Sequence, residues 1–385
     1  MKIAYDSQIF CAQVYGGVSR YFCEIAPRIA KTPGVQVSIT APMYVNAYLA
    51  HVSPGIVSGF RAPDTDRFQT SRGVNYPRMA LRGLGLLMGD WMLRAMKPDI
   101  VHETYFSPYR LGSRRARRVL TIYDMIHEKF AASFPHADKT PRYKALAAAR
   151  ADHVICISES TRRDAIEILG LPPEKTSVIY LGFDLMGGAT THSNLVFPVS
   201  ERYLLYVGNR GGYKNFLRLL EAYGTSPTLK AQYRLICFGG GEFSADELLT
   251  MQKLGLKSGQ VIQFGGDDKL LGKLYTQASA FIFPSHYEGF GIPPLEAMSH
   301  DCPVVCSNTS SIPEVVGDAG EYFDPADTDS MRMAIERVVT SDSHRKLLIM
   351  KGRERLKNFS WDRCAQETLN VYRQALNGAF SRQGG

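Results

Sequence analysis

Two glutamates, Glu288 and Glu296, stand on either side of a glycine turn in the segment SHYEGFGIPPLEAMSH, residues 285–300. The preceding run AFIFPS reads as a strand. Pro293-Pro294 marks the start of a helix, because proline is tolerated in the first helical turn. Gly289 and Gly291 let the backbone approach a ligand closely, and free N–H groups at a helix start favour an anion such as phosphate. A carboxylate at Glu288 can accept hydrogen bonds from sugar hydroxyls or stabilise positive charge developing on an anomeric carbon. Glu296, in the first helical turn, can accept from a ribose diol. The plainer alternative is that Glu296 complements the helix dipole and Glu288 is solvated.

Three more strand-to-helix loops carry the same chemistry. In LLYVGNRGGYKNF (204–216) a glycine-rich turn presents Arg210 and Lys214, one a planar fork and the other a point charge, both suited to a diphosphate. CFGGGE (237–242) ends another strand in glycines beginning at Gly239. YGGVSRYFCEI (15–25) places Gly16 and Gly17 ahead of a helix, again an anion-compatible start. Taken singly, each also reads as an ordinary surface turn with exposed charges.

The elements that must position these loops follow from alternation along the chain. Short β-rich runs alternate with helical patterns from end to end, which predicts parallel sheets covered by helices on both faces. The strand candidates of the first half are residues 2–6, 36–40, 99–103, 118–124, 153–158 and 176–184. Those of the second half are 202–208, 233–239, 260–266, 278–285 and 303–308. Between them, LMGGATTHSNLVFPVS (185–200) lacks periodicity and reads as a linker. The expected fold is thus α/β, with two Rossmann-like, doubly wound domains facing across a cleft: an N-terminal domain over 1–184 and a C-terminal domain over 185–358. The remaining segment, 359–385, opens on an amphipathic helical pattern over 359–376. Ligands of such sheets bind at the carboxyl ends of the strands.

These segments resemble glycosyltransferase family 4, whose members are retaining enzymes of the GT-B fold that use nucleotide-activated sugars. The resemblance rests on EGFGIPPLEAM, VGNRGGYKN, the early GGVSRY and SSIPEVVGDAGEYFDP (310–325). Within the family it is nearest in look to mannosyltransferases of bacterial O-antigen and capsule assembly. It implies that Glu288 contacts the donor sugar and Glu296 the nucleotide ribose, while Arg210 and Lys214 hold the diphosphate. It further implies that Phe290, Gly291 and Ile292 offer backbone groups to sugar and phosphates, and that the C-terminal helix of 359–385 returns to the first domain. Gly16 and Gly17 would lie under the diphosphate, with Gly239 also in the donor site and the VIQFGG run containing Phe264 reading the base. Asp124 matches the aspartate of a His-Asp pair found in many members, but Tyr123 stands where they have histidine. His127, three residues beyond Asp124, is either a substitute or an ordinary loop histidine.

The implied reaction moves a sugar, mannose from GDP-mannose by resemblance, to a glycan or lipid-linked acceptor with retention of configuration. No metal or other cofactor is expected, since the cations take the place of Mg²⁺ and none of the segments YDM, FDL and GDD forms a DxD motif. The alternatives are a UDP- or dTDP-sugar donor, a GT-B sugar-nucleotide epimerase, and a nucleotide-binding interaction module without turnover.

Composition limits the remaining classes. Across 385 residues, seven cysteines are odd in number and form no CxxC pair, so a zinc site or disulfide framework is not expected. No apolar run is long enough to span a membrane, and the expected location is cytoplasmic, peripheral to the inner face of the cell membrane. Of the net charge of +8, +7 lies in residues 61–118, which hold twelve Arg or Lys against five Asp or Glu. The segment 79–96 and RRARR (114–118) read either as an amphipathic core helix with a solvated loop or as a basic surface for anionic lipid. No recognition motif supports nucleic acid.

Overall fold

The computed structural model describes residues 1–62, 76–184 and 201–378. The linker expected at 185–200, and 63–75 of the basic stretch, lie outside the described residues. Two compact units account for the chain: Met1–Glu128, Ala137–Gly182 and Ser360–Gly385 form the first, and Lys129–His136 with Phe183–Phe359 the second.

The first unit holds strands β1 (Lys2–Tyr5), β2 (Gln36–Tyr44), β3 (Val57–Arg61), β4 (Ile100–Glu103), β5 (Arg117–Ile122), β6 (His153–Cys156) and β7 (Thr176–Val178). They pair in the order β3-β2-β1-β4-β5-β6-β7, every pair parallel. The second holds β8 (Tyr203–Val207), β9 (Arg234–Phe238), β10 (Val261–Phe264), β11 (Ala280–Phe283), β12 (Val304–Ser307) and β13 (Gly320–Phe323). Their order is β10-β9-β8-β11-β12-β13, again all parallel. β4, β6, β11 and β12 are buried along their whole length; for β11 and β12 this is why they read as near-continuous apolar runs, while β4 buries His102 and Glu103 and β6 buries His153. In the second unit Leu204, Tyr206, Leu235 and Ile282 of the sheet pack with Phe216, Leu219, Tyr223, Met331 and Ile335 of its helices.

The sequence pattern does not announce β3 or β13. β3 is an edge strand, mostly exposed, so its alternation is not enforced by a core. β13 begins on a glycine and spans only four residues. β7 stops at Val178, well short of residue 184, and β2 runs on to Tyr44 through a register shift between Thr40 and Met43.

Only half of the arginine cluster 114–118 is a solvated loop: Arg114 and Arg115 are exposed, whereas Arg117 and Arg118 belong to β5. Arg118 lies inside β5 with no exposed surface, its guanidinium paired to the buried carboxylate of Glu103 at 2.9 Å and to the Leu111 carbonyl. Arg150 closes the same carboxylate at 2.6 Å, and Arg117 reaches Asp152 at 2.8 Å. Two of the four arginines expected at the surface thus organise the sheet, as ions do when burial forces them to pair.

The helix Trp361–Leu376 packs within the first unit beside the helix Gly17–Ala30. Tyr372 sends its hydroxyl into the sheet, 2.6 Å from His102 Nδ1 and 3.2 Å from the Tyr5 hydroxyl. His102, bonded also to Thr121 at 2.9 Å, is held neutral: burial pulls its pKa down to about 3. Gly182, where the chain leaves the unit, passes so close to Trp361, where it returns, that a Cβ there would lie 2.3 Å from the Trp361 amide nitrogen. Backbone cannot yield as a side chain tip does. Gly182→Ala should therefore destabilise the fold by at least about 1–3 kcal/mol, the usual effect of overpacking, and lower the urea midpoint.

Candidate functional site

The candidate loops of the second unit meet at the carboxyl edge of its sheet. After β8 the chain turns through Gly208, whose φ is 124°, and reaches Lys214 and Asn215. Asn215 adopts a left-handed conformation, φ 59°, and its amide donates to the carbonyls of Pro284 at 3.1 Å and Pro325 at 2.8 Å. After β11 the chain enters the 285–291 turn, where the His286 amide donates to the Tyr213 carbonyl at 2.8 Å. The β8 and β11 loops are thereby stitched together through main chain.

Lys214 and Glu288 meet across that seam. The ammonium lies 2.7 Å from Glu288 Oε1, and both side chains are mostly buried. The Tyr213 and Phe283 rings sit 5.2 and 6.0 Å from Lys214 Nζ, within the range of cation–π attraction. Glu288 is held by its main chain as well: its N–H donates to Ser310 Oγ at 2.9 Å, and its carbonyl accepts from Ser311 Oγ at 2.9 Å. Ser311 also donates to the Phe290 carbonyl at 2.8 Å. Gly291, φ 120°, opens the helix Ile292–Ser299; this backbone angle is one that a residue with a Cβ rarely adopts.

Glu296 lies in that helix and accepts from the Tyr275 hydroxyl at 3.1 Å. Phe290 is buried with its ring edge-on to Phe359 at 5.7 Å. The Phe264 carbonyl accepts from the Gly239 amide at 2.9 Å, so the backbone expected to face a base also closes the sheet edge.

Arg210 has an occupation different from the diphosphate clamp expected of it. Only 7% of the residue is exposed, and its guanidinium is spent internally. Nε donates to Glu247 at 2.9 Å, Nη1 to the Gly239 carbonyl at 2.9 Å, and Nη2 to the carbonyls of Gly241 at 2.9 Å and Glu242 at 2.7 Å. It lies 4.7 Å over the Phe243 ring. Gly239, Gly240 and Gly241 are all left-handed, with φ of 87°, 73° and 71°. Arg210 is therefore the brace that holds three successive glycines in that conformation. Lys214, by contrast, is paired to a single carboxylate, that of Glu288.

In the first unit, Gly16 and Gly17 precede and open the helix Gly17–Ala30. A Cβ on Gly17 would meet no protein atom within 4 Å, so the fold itself does not require glycine there. Tyr123 is buried after β5, its hydroxyl without a hydrogen-bond partner and its ring 5.9 Å from Tyr21; burial pushes its phenol well above the ordinary range. Asp124 accepts from the Ile126 amide at 3.0 Å and lies 3.8 Å from the buried Lys144 ammonium. His127 is turned to Asp138, with Nδ1 2.6 Å from the carboxylate. Burial acts to raise the Asp138 pKa but is outweighed by the Thr140 hydroxyl and amide and by His127, which bring it down to about 2. His127 is therefore an oriented, carboxylate-paired imidazole.

Several residues at these sites carry no readable sequence signal. Ser310, Ser311 and Asn215 act through backbone geometry. Phe130, whose segment Lys129–His136 belongs to the second unit, places its ring 5.6 Å from Tyr213 and 6.0 Å from Tyr287. Asp6, at the end of β1, is fully buried and accepts from Gln8 and from Thr104, the latter at 2.5 Å. Burial, then the nearby Glu103 charge, lifts its pKa to about 6.

Comparison with known proteins gives this arrangement its context. Residues 15–186 match the family model described as Glycosyltransferase Family 4, and residues 189–355 the model described as Glycosyl transferases group 1. The O-antigen chain mannosyltransferase B of Escherichia coli is 33% identical over 299 residues, which cover 74% of this chain and 76% of that one. Among solved structures, sucrose-phosphate synthase from Thermosynechococcus elongatus superposes with a TM-score of 0.72 at 20% identity, covering 98% and 99% of the two chains. Anabaena HepE in complex with UDP-glucose superposes at 0.68 and 18% identity, covering 96% and 100%. The architecture is of the GT-B class.

The two cations should separate cleanly in stability. Arg210→Ala strands a buried Glu247 and three carbonyls, and should destabilise the protein by about 3–5 kcal/mol. Lys214→Ala removes half of a partly exposed pair and should change stability by no more than about 1 kcal/mol. Urea midpoints of both variants test this, and equal midpoints would contradict the assignment of Arg210 as a brace.

Proposed function

We propose, starting from the fact that this chain belongs to glycosyltransferase family 4, that it transfers mannose from GDP-mannose to a glycan or lipid-linked acceptor in cell-surface polysaccharide synthesis. The observation that carries the reading is the Lys214–Glu288 pair at the glycine-rich carboxyl edge of the second sheet. It supplies, at one point, a cation for a diphosphate and a carboxylate for a sugar. The choice of mannose is supported by the Escherichia coli O-antigen mannosyltransferase, a third of whose aligned residues are identical.

In the proposed reaction the donor diphosphate takes Glu288's place at Lys214. The start of the helix Ile292–Ser299 adds N–H groups of the kind that bind anions. The bond between the anomeric carbon and the diphosphate oxygen breaks on the face where the acceptor hydroxyl attacks. The new carbon–oxygen bond therefore keeps the configuration, and the hydroxyl proton passes to a phosphate oxygen of the departing diphosphate. Glu288, released from Lys214, faces the sugar and stabilises the positive charge that develops on it. Glu296, held by Tyr275, accepts from the ribose. Arg210 contributes by fixing the 239–242 turn, and neither a metal nor another cofactor has a step in the scheme.

A UDP-sugar donor is the second reading, favoured by the likeness of the fold to HepE, which was solved with UDP-glucose. Turnover of GDP-mannose, UDP-glucose and a dTDP-sugar, measured as release of nucleoside diphosphate with an O-antigen-type oligosaccharide acceptor, decides between them. Release from GDP-mannose alone supports the first reading, and release from UDP-glucose alone replaces it.

Gly17 offers a second check. Since a Cβ there meets no protein atom, Gly17→Ala should leave thermal stability unchanged or raise it by up to about 1 kcal/mol. If the donor lies against Gly17, the same change should raise the donor KM at least tenfold. An unchanged KM would remove Gly17 from the donor site.

A further inference from the structure

The helix Tyr76–Met96 is inside out. Positions 85, 89 and 93 recur every four residues and so share one face. That face is the buried one: Gly85 and Gly89 are shielded and Leu93 has no exposed surface. The approach is close, since a Cβ on Gly89 would lie 2.8 Å from Ser7 Oγ and one on Gly85 3.2 Å from the Met43 carbonyl oxygen. Four large apolar residues point the other way. Leu87 is 72% exposed and Trp91 69%, with Leu84 and Met88 beside them on the same side. A water-facing helix ordinarily does the reverse, turning its bulk inward and its polar residues outward.

Among the described residues of this helix and of the loop after β4, the exposed charges have one sign. Asp90 is the only acidic residue of the helix, and it is occupied twice, by Arg94 at 2.8 Å and by the Gly112 amide at 2.6 Å. The second bond ties the loop after β4 to the helix. That loop presents Tyr109, Arg110, Arg114 and Arg115, all exposed, while Arg82 and Arg94 are exposed on the helix itself. Apolar side chains including a tryptophan, rimmed by arginines, are the composition of a surface that lies in the headgroup boundary of a bilayer. A second copy of this chain would set arginines against arginines, so charge disfavours a homodimer through this face.

We propose that this face, with Leu84, Leu87, Met88 and Trp91 as the inserted residues and Arg110, Arg114 and Arg115 as the cationic rim, docks on a bilayer containing anionic lipid. The proposal deepens the reading of a lipid-linked acceptor, but it does not depend on which sugar is moved. It also relocates the basic surface expected from the sequence, since Arg117 and Arg118 belong to the sheet.

Vesicle sedimentation of the full chain tests it, using phosphatidylcholine vesicles with and without phosphatidylglycerol as the anionic lipid. Wild type should partition at least tenfold more onto the anionic vesicles. Leu87→Ser with Trp91→Ser should reduce that partitioning at least tenfold without lowering the thermal midpoint, because both residues are exposed. Reversing Arg110, Arg114 and Arg115 to glutamate should abolish the preference for anionic lipid. Of the two tryptophans, Trp361 is buried, so a blue shift of fluorescence on adding vesicles reports Trp91. Partitioning that survives in the double variant with no blue shift in wild type would overturn the proposal. So would a lipid-free dimer, seen by ultracentrifugation, that the double variant dissociates. Donor turnover measured on the same preparations keeps failure of docking distinct from failure of the transferase reading.

Discussion

A single ion pair, Lys214 with Glu288, joins the two loops on which the candidate site is built. Such a pair at a half-buried position contributes little to stability, because desolvation offsets most of the Coulomb gain. Its interest is chemical. In the structure each ion neutralises the other, and in the proposed reaction an incoming diphosphate releases the carboxylate by taking over the lysine. Everything around the pair serves to keep it in place. The His286–Tyr213 main-chain bond sets the distance between the loops, Ser310 and Ser311 hold the Glu288 peptide, and Asn215 locks the end of the β8 loop.

Parallel sheets make this economy of means general. All strands of the second sheet end at the same edge, so residues 214, 239 and 288 become neighbours although the sequence separates them widely. The division of labour between the two cations follows from depth. Arg210, deep in the unit, satisfies carbonyls and a carboxylate and so shapes the glycine turn. Lys214, nearer the rim, keeps a partner that can leave. The sequence shows two cations four residues apart and cannot show which of them faces inward, because that depends on Glu247, a residue 37 positions from Arg210 on the helix Ala245–Lys253.

The same limit explains what else was legible. The two parallel sheets were readable because most of their buried strands are largely apolar, and the turn that carries Glu288 and the helix that carries Glu296 because glycines and Pro-Pro frame them. β3 and β13 lacked that signal, being exposed or short. Arg118 read as surface charge, since local pattern cannot reveal a carboxylate 15 residues earlier that a neighbouring strand brings within 2.9 Å. Residues 79–96 read as an amphipathic core helix, and only the packing shows that Gly85 and Gly89 lie on its buried face. Phe130 and Asp6 were silent because a phenylalanine in a loop and an aspartate after a strand are common everywhere.

The central claim, that Lys214 exchanges Glu288 for a donor diphosphate, is tested most directly by titration calorimetry of GDP and of guanosine into wild type and Lys214→Ala. The account predicts that the variant loses affinity for GDP by a factor of about 10²–10³, the loss expected when a charged phosphate partner worth about 3–4 kcal/mol is removed, while the weak affinity for guanosine is unchanged. Equal GDP affinity in the two proteins would contradict it and leave the ion pair as a structural tie between loops.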